Sequence, residues 1–165
     1  GAEVLASLAP EGPVYQAGTL SGNPVATAAG LAVLAALDDH GYAGLSARVA
    51  RFGSALAEGL SAVLSKAGTV DDQGRPIEAQ VPVVGPLFGL FFVPVASRPV
   101  GDYEGAVASA STGLYARLFR AMLDRGVAFA PGPYEVGFPS MAHGELELEL
   151  ALDVASAAMA DVLSS

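Results

Sequence analysis

The chain has 165 residues, 52% of them hydrophobic, no cysteine and a formal net charge of −9. This length and apolar content suit one packed domain with a substantial core, while the missing cysteines exclude disulfides and thiolate chemistry and fit a reducing, cytoplasmic setting. The negative charge argues against nucleic-acid binding, which needs basic groups against phosphate, and neither the short apolar run 31–37 nor the N-terminal residues read as a membrane span or a secretion signal.

The first informative segment is YQAGTLSGNP at 15–24. Gly18 and Gly22 allow close backbone approach or positive φ, Thr19 and Ser21 supply hydroxyls, and Asn23-Pro24 closes a turn and presets φ for a first helical residue. A turn of this kind ahead of a helix can meet an anion through backbone N–H groups, the macrodipole and a hydroxyl. Ser21 and Asn23 read as the residues that hold the turn, because such side chains bond local backbone. A helix follows over 24–37, with Asp38-Asp39-His40-Gly41 as its stop. Leu45, Val49, Phe52, Leu56, Leu60 and Val63 recur at spacings of three and four, which predicts a helix over 42–66 with one apolar stripe. Lys66, the only lysine, ends that helix, where a cation suits the dipole.

Residues 69–80 read as a loop with solvated aspartates. The segments 81–84 and 87–95 are rich in β-branched and aromatic residues and read as strands, with Pro82 and Pro94 confining their ends to edges or bulges. The apolar pairs Leu114/Tyr115, Leu118/Phe119 and Met122/Leu123 predict a helix over 103–125, with Gly126 as its C-cap and 127–130 as a further strand. The Glu/Leu alternation at 145–150 has a strand-like period of two. It is read as the start of a helix running to Leu163, because Glu, Leu and Ala are strong helix formers and acids suit a first turn. His40 and His143 lie at helix ends in no metal-ligand pattern and read as capping or structural residues. Strands alternating with helices make an α/β or α+β layer.

Four segments, in order, resemble those of one family. YQAGTLSGNP resembles its Y-Q-A-G-T-x-S-G-N-P turn, and GPLFGLFF at 85–92 its G-x-x-F-G-x-F-F strand. YARLFRAMLDRGVAFA at 115–130 resembles its F-x-x-F-F-x-x-M-L-x-x-G-V-x-x-A helix and strand, and PGPYEVGFPSMAH at 131–143 its P-S-x-F-E-A-G-F-x-S-x-A-H segment. The family is the class III aminotransferases; the Y-Q-A-G prefix and the E-x-G-F-x-S-x-A-H segment point to its glutamate-1-semialdehyde 2,1-aminomutase branch.

The resemblance implies a fold-type I transferase dependent on pyridoxal 5'-phosphate or pyridoxamine 5'-phosphate, of which this chain is the C-terminal portion. Residues 1–41 would end the large cofactor-binding domain, and 42–165 would supply an interdomain helix and a small domain, a sheet covered by helices. It further implies that Thr19, with the Gly18 backbone, contacts the cofactor phosphate of a neighbouring subunit in a homodimer. Tyr15 and Gln16 are placed at the subunit interface. Glu135 takes the position of a glutamate near the substrate, glutamate 1-semialdehyde. Tyr134, Val136 and Gly132-Pro133 depart from the family's loop pattern. The lysine that carries the cofactor in the family has no counterpart here, so the chain alone is expected to be inactive, with no catalytic residue and no metal ligand. The alternatives are another class III aminotransferase and a non-catalytic small domain that serves dimerisation.

Overall fold

A computed structural model describes residues 1–164. The chain divides into two compact units, Gly1–Asp38 and Asp39–Ser165.

The first unit carries the short helix α1 (Ala2–Leu5) and the helix α2 (Pro24–Ala36). Helix α2 starts where the sequence places it. Pro24 occupies the first turn, where its missing N–H leaves nothing unpaired, and the Asn23 carboxamide accepts from Val25 N–H at 3.0 Å and Ala26 N–H at 3.1 Å. Its sequence, PVATAAGLAVLAA, is apolar on every side, yet none of its residues is buried.

The second unit begins with α3 (Asp39–Lys66). The expected helix stop at 38–41 is therefore corrected: Asp39, His40 and Gly41 open α3, and the acid at its first turn complements the N-terminal dipole. The apolar stripe forms as predicted from Leu45 to Leu60, but it ends on buried Leu64, with Val63 only half-buried. At 3.6 residues per turn Leu64 lies about 40° from Leu60 around the helix axis and Val63 about 60° on the other side. Helix α3 packs against α6 (Glu145–Ser164) and against strand β1 (Ile77–Gln80).

Strand β1 corrects the reading of 69–80 as loop throughout. Ile77 and Ala79 are buried and Glu78 and Gln80 half-buried, a two-residue alternation that the preceding polar turn and Pro76 obscure in the sequence. It pairs antiparallel with β4 (Phe91–Pro94), while β2 (Val83–Val84) pairs antiparallel with β3 (Leu87–Phe88). The strand readings over 81–84 and 87–95 thus resolve into three short strands with Gly89 and Leu90 between the last two. With both strand pairs antiparallel, the α+β form of the predicted class is the one observed. Ala79 and Phe92 face each other across the ladder. Ala79 donates its N–H to Ser61 Oγ on α3 at 2.9 Å, and Phe92 donates to buried Ser109 Oγ at 2.7 Å, so helix side chains occupy both edges.

The helix predicted over 103–125 is two helices, α4 (Tyr103–Ala110) and α5 (Leu114–Leu123). Gly113 takes φ of 67°, a left-handed turn that a continuous helix cannot contain. Asp102 caps α4 through Gly105 N–H at 2.8 Å; this bond, and Arg98, hold its carboxyl below the ordinary carboxylate range. Residues 127–130 form no strand. Val127 N–H returns to Met122 O, and Ala130 O accepts from the Tyr115 hydroxyl, so these groups are taken by the helix the segment has just left. The reading of 145–163 as helix holds: in α6 Leu148, Ala151, Ala155, Ala158, Met159 and Val162 are buried at helical spacing. Among the described residues no buried side-chain nitrogen or oxygen lacks a partner, and no helix is long and apolar enough to cross a membrane.

Candidate functional site

The turn that contains Gly18 and Thr19 belongs to the first unit. Ser21 N–H donates to Gly18 O and Asn23 N–H to Leu20 O, both at 3.0 Å, and Gly22 takes φ of 74°. Thr27, one helical turn on, donates both its N–H and its hydroxyl to Asn23 O. The Asn23 carboxamide already takes two of the donors that a bare helix start would offer an anion. What the turn offers instead is the Thr19 hydroxyl: the residue is exposed, and among the described residues no hydrogen bond engages that group. Tyr15 stands 82% exposed on the approach to the turn.

Glu135 lies in the second unit, on the wall of a cavity of about 710 Å³. The cavity floor is core: Phe52, Phe88, Leu90, Leu148 and Ala151. Phe52, Phe88 and Phe129 form an edge-to-face series with centroids 5.3 and 5.6 Å apart. The outer wall is the segment 126–139, which carries Glu135. That segment is tied back at residue 137, where Phe88 and Gly137 exchange backbone bonds at 3.2 and 2.8 Å. Glu135 N–H closes a turn onto Gly132 O at 3.1 Å, and its side chain is exposed.

The remaining polar groups of the cavity have definite partners. Tyr115 is buried and donates its hydroxyl to Ala130 O at 2.7 Å; burial, and then the nearby Glu135 carboxylate, push its phenol up to about 12. His143 Nδ1 accepts the Ser140 N–H at 2.9 Å, and Glu147 reaches back to accept the Gly144 N–H at 2.8 Å, one half of a capping box at the start of α6. Arg48 donates to His143 O at 2.8 Å, and Arg48 and Arg51 meet Glu145 at 3.5 and 2.8 Å. His143 and Glu147 thereby fix the entrance to α6. A site made of acids, aromatic faces and hydrogen-bond donors, with no lysine, can receive a cationic or polar small molecule; it is not built to hold an anion.

The structure brings Glu135, Tyr115 and His143 to one cavity and keeps Gly18 and Thr19 on one turn. Tyr115 and Glu147 are the cavity residues that sequence reasoning does not single out. For Tyr115 the one available signal is a hydroxyl where the resembled motif carries Phe.

No protein-family model matches the chain. Over 161 residues, 97% of its length, the chain is 41% identical to a glutamate-1-semialdehyde 2,1-aminomutase of Desulfosudis oleivorans, of which it covers 34%. Among solved structures it is similar to an omega-transaminase from Sphaerobacter thermophilus, with a TM-score of 0.61 and 30% identity over 98% of this chain and 34% of that one. It is also similar in fold to a transaminase with PLP bound, at a TM-score of 0.57 and 22% identity, covering 94% of this chain and 32% of the other. The chain spans about one third of the length of these proteins. Across nearly all of its residues it is thus a sequence relative of a glutamate-1-semialdehyde 2,1-aminomutase and takes the fold of the corresponding part of a PLP transaminase.

Proposed function

We propose that the chain forms part of a PLP-dependent aminomutase that isomerises glutamate 1-semialdehyde to 5-aminolevulinate, a cytoplasmic step of tetrapyrrole synthesis. The observation that carries this reading is the 41% identity to an aminomutase over 97% of the chain, against 30% to the omega-transaminase. The residues present fit the phosphate end of the cofactor: Thr19 holds an exposed, unengaged hydroxyl beside the Gly18 backbone. When bound, PLP supplies the electron sink for the chemistry at the amine-bearing carbon.

The chain's own share is binding and orientation. Thr19 donates its hydroxyl to a phosphate oxygen, a charge-assisted bond stronger than a neutral one. Glu135 accepts from the substrate's ammonium group at the cavity wall, above the aromatic floor. In this reading two copies pair and Thr19 of one serves the cofactor of the other, so each site is made from both chains. The 165-residue chain by itself is inactive, since Lys66, its only lysine, closes α3 at the surface. Borohydride treatment of the chain with PLP is expected to leave Lys66 unlabelled, and labelled Lys66 would overturn that point.

The fold match to the omega-transaminase favours one second reading, an aminotransferase that exchanges amino groups with an external keto acid. The two separate in one assay on the enzyme that contains this chain: glutamate 1-semialdehyde is supplied without any amino donor and 5-aminolevulinate is followed. Product without donor supports the aminomutase; product only with donor supports the second reading. In the same enzyme Thr19→Val should weaken PLP retention by about 1.5–3 kcal/mol, the worth of a bond to a charged group, with folding intact. Unchanged retention would leave Thr19 as a turn residue alone.

A further inference from the structure

The segment that carries Glu135 is held at two points. At residue 137 the hold is backbone to backbone, through the exchange with Phe88. At residue 130 it is a side chain: the Tyr115 hydroxyl on α5 reaches Ala130 O at 2.7 Å, fifteen residues along the chain. Between these points Pro131, Gly132 and Pro133 make no hydrogen bond to the core, and Glu135 closes only a local turn onto Gly132 O. His143 and Glu147, which also line the cavity, make their hydrogen bonds at the entrance of α6.

We propose that Tyr115 is a positioning residue, whose hydroxyl, by fixing Ala130, sets where Glu135 stands on the cavity wall. The inference rests on the reading of Glu135 as the group that receives the substrate's ammonium. Three observations support it. The ring of Tyr115 is buried with Leu114 and Leu118 in the α5 face, so the packing is satisfied by the ring alone. The hydroxyl's bond to Ala130 O holds the near end of a loop in which Pro131 and Pro133 have no N–H to give. Finally, the charge of Glu135 acts on the Tyr115 phenol, which places the two groups in electrostatic reach of each other.

The decisive variant is Tyr115→Phe, which keeps the ring. Amide hydrogen exchange on the 165-residue chain should show protection over 128–137 falling by about tenfold, the worth of one neutral hydrogen bond, while amides of α3 and α6 are unchanged. In the enzyme that contains the chain, Tyr115→Phe should raise KM for glutamate 1-semialdehyde by about three- to tenfold with kcat within about twofold, because a misplaced carboxylate weakens binding before it touches the chemistry. In a Glu135→Ala background the same substitution should add nothing further to KM. Unchanged exchange over 128–137 overturns the proposal. So does a KM effect of Tyr115→Phe that persists in full without Glu135, since Tyr115 would then act by another route. If Glu135→Ala alone leaves KM unchanged, the substrate reading of Glu135 fails, and the proposal fails with it.

Discussion

At Gly137 a methyl group has no room. A Cβ there would stand 2.3 Å from Phe88 Cε1, and the ring cannot yield freely because Phe52 and Phe129 meet it edge-to-face. Gly137→Ala is therefore expected to destabilise the second unit by about 1–3 kcal/mol, the usual cost of overpacking, read from urea unfolding. A loss below experimental error would mean that the aromatic series shifts without strain. Tyr115 gives a second prediction at this scale. Its phenol is held protonated up to about 12 in the fold, whereas an unfolded tyrosine ionises near 10.0. The folded state thus keeps a proton that the unfolded state gives up, and stability contributed by Tyr115 is complete below pH 10.0 and is lost as pH rises toward 12. Thermal melts between those values should show a decline in the wild type that is smaller in Tyr115→Phe; equal declines would refute it. Motif similarity makes Thr19 and Glu135 visible in the sequence, whereas Tyr115 reads as half of an apolar pair, marked only by a hydroxyl where the resembled motif carries Phe. Its partner is a carbonyl on a segment without regular structure, and no local period encodes such a bond.

Helices are legible from sequence because their period repeats within a few residues, and α2, α3 and α6 emerge with boundaries close to those expected. The break at Gly113 is less legible: Ala, Ser and Thr at 108–112 permit a helix on either side, and only the left-handed backbone at one glycine divides α4 from α5. Two-residue strands such as β2 and β3 have no period at all and exist through their partners. Strand β4 depends on a helix as well as on β1. Ser109→Ala removes the hydroxyl that receives Phe92 N–H and leaves that buried donor unpaired, which should cost about 1–3 kcal/mol. The check is the urea midpoint together with exchange at Phe92, and an unprotected Phe92 amide in the wild type would contradict the bond.

On the scale of the molecule, the two units differ in kind. The second has a core running from Leu45 to Val162; the first buries nothing, and Leu31, Val33 and Leu34 stand 64%, 62% and 69% exposed on α2. A helix apolar on all sides is ordinarily an interior one. The isolated chain should accordingly bind the dye ANS and elute above its monomer mass of 16.5 kDa. Leu31→Glu combined with Leu34→Glu should reduce both effects while the second unit melts unchanged. A wild-type chain that is monomeric and dye-silent would show that α2 is tolerated in water. The sequence shows the apolar character of α2 plainly, but what lies against it is a property of other residues and is not written in the helix itself.

The two serine bonds to the β1–β4 ladder fix more than its edges. Sliding β1 by one residue relative to β4 would turn the N–H of Ala79 or Phe92 to the other edge of its strand, and Ser61 or Ser109 would lose its backbone partner. The alignment of the strands is thereby keyed to helices on either side, and a slipped pairing loses a hydrogen bond at once. Chain length ahead of β1 is left comparatively free, because Ser61 reads only the strand beside it. The exposed turn at 72–74 can accept insertions without shifting the frame, whereas 81–90 is held by its own strand pairing and by buried Phe88 and Leu90.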